Sequence, residues 1–159
     1  VSQTETLIRN IAPVIDEMWS YRIVHCDITP KNIMLNDRGN FILIDLGIAK
    51  HLDAGITSKA NLVWGTSGYL APEQFVGRKN LTLRVDLFAL GIVAYEAVTG
   101  SHPFNRNQNL IGRNIPPPVS SLVSSAQHLD EVIRRMLEFS PTRRPRSGSE
   151  VIDLIGGPP

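Results

Sequence analysis

From Leu83 to Thr99 the chain is apolar almost all the way round a helical wheel. Val85, Leu87, Phe88, Leu90, Ile92, Val93 and Val98 leave no polar face. Such a helix belongs in the middle of a domain, because each aliphatic side chain left in water forgoes about 1.5–3 kcal/mol of burial. Gly100 supplies its stop. The remaining segments must wrap around it, and 159 residues are enough to do so as one domain. Asp86 lies inside the stretch, and a carboxylate in so apolar a helix requires hydrogen-bond donors from whatever packs on it.

The segments on either side supply candidates for that wrapping. Thr4 to Ser20 has Leu7, Ile8, Ile11, Ile15 and Met18 at helical spacing, with Glu5, Arg9, Asp16 and Glu17 between them. Pro13 within it is expected to kink the helix. Asn32 to Leu35 and Phe41 to Ile44 read as two strands joined by the turn residues Asn36-Asp37-Arg38-Gly39-Asn40, a β-hairpin. Residues 46 to 71 form a long segment with little periodicity, of a length that is usually functional in a small domain. Asn114 to Ser121 reads as an irregular connector. Gln127 to Phe139 and Ser147 to Ile155 read as two further helices.

The hairpin has chemical consequences. It places Asn32 at its entrance and Asp45 at its exit, side by side, just after His25-Cys26-Asp27. Asp27 can take a proton from an attacking hydroxyl, and Asn32 and Asp45 offer the hard oxygens that Mg²⁺ prefers on nucleotide phosphates. On these residues, His25-Cys26-Asp27-Ile28-Thr29-Pro30-Lys31-Asn32 and Asp45-Leu46-Gly47, the chain resembles the eukaryotic-type protein kinases, whose loops read H-R-D-x-x-x-x-N and D-F-G.

A second block agrees. Gly65-Thr66-Ser67-Gly68-Tyr69-Leu70-Ala71-Pro72-Glu73 is similar to the substrate-docking segment of the Ser/Thr kinases, and to their bacterial eukaryotic-like branch. The resemblance implies that Asp27 is the catalytic base, assisted by Asn32 and Thr66. It implies that Asn32 and Asp45 ligate Mg²⁺, and that ATP lies against Asn32, Met34 and Asp45. Met34 would form an apolar floor under the adenine ring, although plain core packing accounts for that residue equally well. The resemblance also implies that Glu73 pairs with a buried Arg144, and that Asp86 accepts bonds from the catalytic-loop backbone. The fold it implies is mainly α: the carboxy-terminal lobe of a protein kinase, a helical bundle around the buried central helix with a short β-hairpin carrying the catalytic and metal loops. Residues 1–155 would form that lobe, and residues 156–159 the start of a linker.

The chain departs from the family pattern in three ways. Cys26 replaces the Arg that contacts a phosphorylated activation-loop residue, which weakens the logic of Thr57 and Ser58 as phosphosites. Thr29 stands where a Lys usually touches the γ-phosphate; Lys31 comes two residues late and, on the resemblance, points elsewhere. No G-x-G-x-x-G and no V-A-I-K lysine occurs, so the amino-terminal lobe is expected as a missing partner and the isolated chain is expected to be inactive. The implied reaction is γ-phosphoryl transfer from ATP to Ser or Thr of a protein substrate. The alternatives are a pseudokinase or interaction module, and a small-molecule phosphotransferase of the antibiotic-kinase type.

A net charge of +1 gives no support for a nucleic-acid partner. One cysteine excludes an internal disulfide and suits a reducing compartment. No apolar run approaches the roughly 20 residues of a membrane span, so a cytoplasmic location with no membrane contact from this segment is expected. The start at Val1 suggests a piece of a longer protein, whose flanking segments could carry an anchor.

Overall fold

The structure, a computed structural model, describes residues 1–46, 50–51, 65–77 and 80–156, with the backbone alone at 50 and 51. Thr57, Ser58, Gly47 and the linker residues 157–159 lie outside the described residues.

The apolar stretch is a helix, α3 (Arg84–Thr99), and every residue from Val85 to Tyr95 is buried. Gly100 ends it in the left-handed conformation that glycine adopts at no steric cost. The amphipathic segment forms α1 (Ser2–Ser20), which turns Thr4, Leu7, Ile8, Ile11, Ala12 and Ile15 inward against α3. Pro13 does not break it; the ring sits on the exposed side, where a carbonyl that loses its helical N–H partner can turn to water.

Among the described residues, four strands form two antiparallel pairs. β1 (Ile23–Val24) pairs with β4 (Lys50–His51), and β2 (Ile33–Leu35) with β3 (Phe41–Leu43). The second pair is the expected hairpin. The Asn36 carboxamide oxygen accepts the N–H groups of Arg38 (3.0 Å) and Asn40 (2.9 Å), which closes the turn. Asn10 of α1 accepts the Phe41 N–H at 2.8 Å and pins the hairpin to the helical body. Asn32 differs from expectation: it ends a 3₁₀ turn, Pro30–Asn32, and the strand begins one residue later.

A short helix, α2 (Pro72–Phe75), precedes α3. After α3 the chain runs through tight turns to α4 (Asp130–Met136) and α5 (Gly148–Ile155). The helix expected over 127–139 is shorter than its apolar pattern. Ser124–Leu129 is 3₁₀, and the helical run stops at Met136. The reason lies downstream: the Arg144 guanidinium takes the Glu138 and Phe139 carbonyls, which turns the chain out of the helix and leaves Phe139 exposed.

The last helix, α5, packs on α1 through a contact that only glycine permits. A Cβ at Gly148 would lie 2.0 Å from the Ala12 carbonyl oxygen. Asp16 of α1 accepts the Gly148 and Ser149 N–H groups at 2.6 and 2.9 Å, satisfying orphan donors of α5 from another helix. Among the described residues no helix is long and apolar enough to cross a membrane.

Candidate active site

Asp86 positions the loop that carries Asp27 from inside the core. Its two carboxylate oxygens accept the N–H groups of His25 (2.8 Å) and Cys26 (2.9 Å), which meets the requirement that the apolar helix imposed. Burial pushes the Asp86 carboxyl up to about 7, against the pull of those two donors, which favour the ionised form. The folded state therefore binds the Asp86 proton more tightly than the unfolded chain, where the group titrates near 3.8. Its contribution to stability is most favourable at acid pH and declines as pH rises from about 4 to about 7. The melting temperature of the parent minus that of Asp86→Asn should fall across that window and level off above it. A difference that grows with pH would exclude this account.

Held in this way, the loop takes a tight path. Cys26 has φ +67 and is buried, and its carbonyl accepts the Gln74 amide at 3.2 Å. His25 is buried too, and burial holds its imidazole below the usual range, against the Ile44 carbonyl and the nearby Asp27 and Asp45 charges, which raise it. The ring is therefore neutral at pH 7, with Nδ1 accepting the Asp27 N–H (3.3 Å) and Nε2 facing the Ile44 carbonyl (3.4 Å). Both acidic residues of the expected site lie close enough to the His25 ring to act on it.

Around Asp27 the site closes. Its Oδ1 accepts from the Thr66 backbone N–H at 2.8 Å and from the Thr66 hydroxyl at 2.6 Å. Asn32 donates to Oδ2 at 3.0 Å and to the Asp27 carbonyl at 2.9 Å. Asp27, Asn32 and Thr66, separated by 39 residues at the widest, thus form one hydrogen-bonded cluster.

Gly65 lets the Thr66 segment come so near. A Cβ there would lie 2.5 Å from the Cys26 carbonyl oxygen, and the residue has φ +122. Beyond it the segment is clamped by His102 and by two glutamines, Gln108 and Gln74, that sequence reasoning did not single out. Gln108 accepts the Gly68 N–H (3.0 Å) and donates to the Leu70 carbonyl (2.9 Å), while Gln74 accepts the Ala71 N–H (3.0 Å). His102, whose imidazole is held down chiefly by burial, faces the Gly68 carbonyl through Nε2 at 3.1 Å. A buried Gln leaves no periodic signature, whereas the turn Ser101-His102-Pro103-Phe104 after Gly100 fits the family pattern in the sequence itself.

Asp45 lies just past the hairpin exit, exposed, with φ +65. The Ile44 N–H donates to the Asn32 carbonyl at 2.8 Å, which brings the Asp45 backbone beside Asn32. Asn32 spends its amide N–H groups on Asp27 and leaves its carboxamide oxygen for a cation. These hard oxygens fit Mg²⁺. No cluster of three His, Cys, Asp or Glu side chains occurs among the described residues, so a cation here would rely on phosphate oxygens and water for its remaining ligands. Met34 is not core: it is 56 % exposed and pairs across the hairpin with Ile42, another exposed apolar residue. That bare apolar face fits one side of a flat base.

The Glu73–Arg144 pair is present as expected. The guanidinium grips both carboxylate oxygens at 2.7 and 2.9 Å, with the Arg144 side chain fully buried. Burial lowers the Arg144 pKa, and Glu73 opposes that shift.

The sequence model of the protein kinase domain matches residues 2–152. The serine/threonine-protein kinase PknA of Mycobacterium tuberculosis is 34 % identical over 84 % of the chain, which covers 31 % of that protein. The tyrosine-protein kinase MasK of Myxococcus xanthus is 34 % identical over 84 % of the chain, which covers 21 % of it. The crystal structure of the M. tuberculosis PknI kinase domain superposes with a TM-score of 0.75 at 25 % identity, over 97 % of this chain and 54 % of that one. The chain thus spans a third or less of the length of these curated relatives.

Proposed function

The chain belongs to the protein kinase family, and from that premise we propose that it forms the catalytic lobe of a serine/threonine protein kinase. In the whole protein this lobe would promote transfer of the ATP γ-phosphoryl group to a Ser or Thr hydroxyl of a protein substrate. The observation that carries the reading is the Asp27 carboxylate held between Thr66 and Asn32.

The residues take the following roles. Asp27 accepts the proton of the attacking hydroxyl through the carboxylate that Thr66 and Asn32 orient. Thr66 lies against that carboxylate and favours an aliphatic hydroxyl as acceptor. Asp86 keeps the loop rigid through the His25 and Cys26 N–H groups. Asn32 and Asp45 would hold the cation of Mg²⁺-ATP and Met34 would floor its base; when bound, the nucleotide would supply the phosphoryl group and the cation would offset the charge on the phosphates. Residues 1–155 act as the large lobe, completed by a glycine-rich lobe encoded elsewhere in the protein, and the reaction belongs in the cytoplasm, where ATP is supplied.

The pseudokinase alternative has one observation in its favour. Thr29, where a phosphate-binding Lys is usual, is 3 % exposed and offers no cation. A single assay separates the readings. Full-length protein with ATP and Mg²⁺ is given peptides that differ only in carrying Ser, Thr or Tyr. Label on Ser and Thr is the expected result. Label confined to Tyr, the activity named for MasK, would overturn the acceptor assignment, and ATP binding with no transfer to any peptide would favour the pseudokinase. The 159-residue chain by itself should bind ATP more weakly than micromolar in calorimetry, because it presents only the Met34 side of a cleft.

A further inference from the structure

We propose that Lys31 selects anionic side chains, carboxylate or phosphate, close to the phosphoacceptor in the protein substrate; this rests on the kinase reading above. Thr66 and Ser67 border a cavity of about 500 Å³ that also touches α1, the Pro30–Asn32 turn, the hairpin and α3. Thr66 borders this cavity and bonds the Asp27 carboxylate, so the cavity lies beside the point that a substrate hydroxyl must reach. Its floor is aliphatic and aromatic, including Leu7, Ile33, Phe41 and Val93, which suits the methylene stem of a side chain.

Charge then decides which side chain is accepted. The charged residues lining the cavity are Lys31, Glu96 and Arg106. Glu96 is already engaged: it accepts from the Tyr69 hydroxyl at 2.7 Å and is ion-paired with Arg106, which also donates to the Tyr69 hydroxyl at 3.0 Å. Burial, reinforced by Glu96, pushes the Tyr69 phenol up to about 12, so it remains a donor. Glu96 and Arg106 cancel, and a basic substrate residue would have to displace Arg106 to reach the carboxylate.

Lys31 is left to set the sign. It is exposed, and its side chain has no hydrogen bond or ion pair among the described residues. Its backbone is anchored, since Thr29 accepts the Asn32 N–H at 3.0 Å and Asn32 is locked onto Asp27. An unpaired ammonium on a fixed turn, one residue from the Asn that orients the base, attracts an anion and repels a cation.

The test uses full-length protein and peptides in which one residue flanking the acceptor, at each position in turn, is Ala, Asp, phosphoserine or Lys. At one position kcat/KM should be about five-fold higher for the anionic peptides than for the Ala peptide, the ratio shrinking as salt is raised. Lys31→Glu should invert that selectivity toward the Lys peptide, and Lys31→Gln should flatten it. A larger effect with phosphoserine would identify a primed substrate, and equal effects would show that a carboxylate suffices; either supports the proposal. Equal rates on Ala, Asp and phosphoserine peptides, with Lys31→Glu selecting as the parent does, would overturn it and leave the kinase reading standing. No transfer to any peptide would remove the kinase reading and this proposal with it.

Discussion

Arg144→Ala is expected to lower the melting temperature by roughly 10 °C, while the neighbouring Arg143→Ala moves it by no more than about 2 °C. Arg144 has no exposed side-chain surface. Its guanidinium donates to both Glu73 oxygens, to the Arg84 carbonyl (3.0 Å), to the Glu138 carbonyl (2.7 Å) and to the Phe139 carbonyl (3.0 Å), and it stacks 4.6 Å above the Phe88 ring. Truncation leaves Glu73 as an unpaired buried charge and removes a donor from three carbonyls. Breaking a buried pair from one side costs about 3–5 kcal/mol. Arg143 is exposed and ends a 3₁₀ turn, so its truncation falls within the small range of surface changes.

Two further variants sharpen the expectation. Arg144→Lys should recover little, because one ammonium cannot replace a planar fork that serves a carboxylate and three carbonyls. Glu73→Met combined with Arg144→Met should be less destabilised than Arg144→Ala, because no lone charge remains buried. Equal melts for the Arg143 and Arg144 alanine variants would show that the pair is not what joins α2 to the end of the domain.

Asp27→Asn in the full-length protein should lower kcat by about 10²–10⁴-fold with little change in ATP affinity. The substitution preserves shape: the carboxamide oxygen it introduces can still accept the Thr66 N–H and hydroxyl now held at 2.8 and 2.6 Å. What it removes is a basic oxygen for the substrate proton, and it sets an amide N–H₂ against that of Asn32. Folding should be little affected, since Asp27 is only half-buried. Thr66→Ala is the comparison: it deletes one hydrogen bond to the carboxylate and keeps the base, so its loss should be smaller. Parent-like turnover in Asp27→Asn would remove Asp27 from the base role.

Much of the site was legible because its chemistry sits in short, contiguous stretches. Asp27 and Asn32 are five residues apart, and the hairpin that carries Asn32 toward Asp45 announces itself through Asn36 and Gly39. Met34 stayed ambiguous between core and ligand floor, since hydrophobicity does not say which neighbour is present; the fold leaves it bare. The overlong helix over 127–139 had the same origin. Its apolar spacing was real, but the carbonyls of Glu138 and Phe139 were claimed by an arginine whose position no local pattern reveals. The clamps Gln74 and Gln108 and the Tyr69–Glu96–Arg106 network were illegible for a related reason: each joins segments far apart in the chain through polar side chains without periodicity.

Read alone, then, the sequence determined a buried central helix, an amphipathic partner for it and a hairpin, and its resemblance to the kinase loops singled out Asp27, Asn32 and Asp45 as candidates for a base and two metal ligands. The helices and the hairpin follow from local rules of burial period and turn chemistry, which act over a few residues. The tertiary structure alone decided that Thr66 closes on Asp27, that Asp86 spends its carboxylate on the His25 and Cys26 backbone, and that Glu96 is neutralised while Lys31 has no ion pair among the described residues. Each of these is a balance of charge and hydrogen bonding between segments that meet only when α3 is covered, so no stretch of the chain contains it.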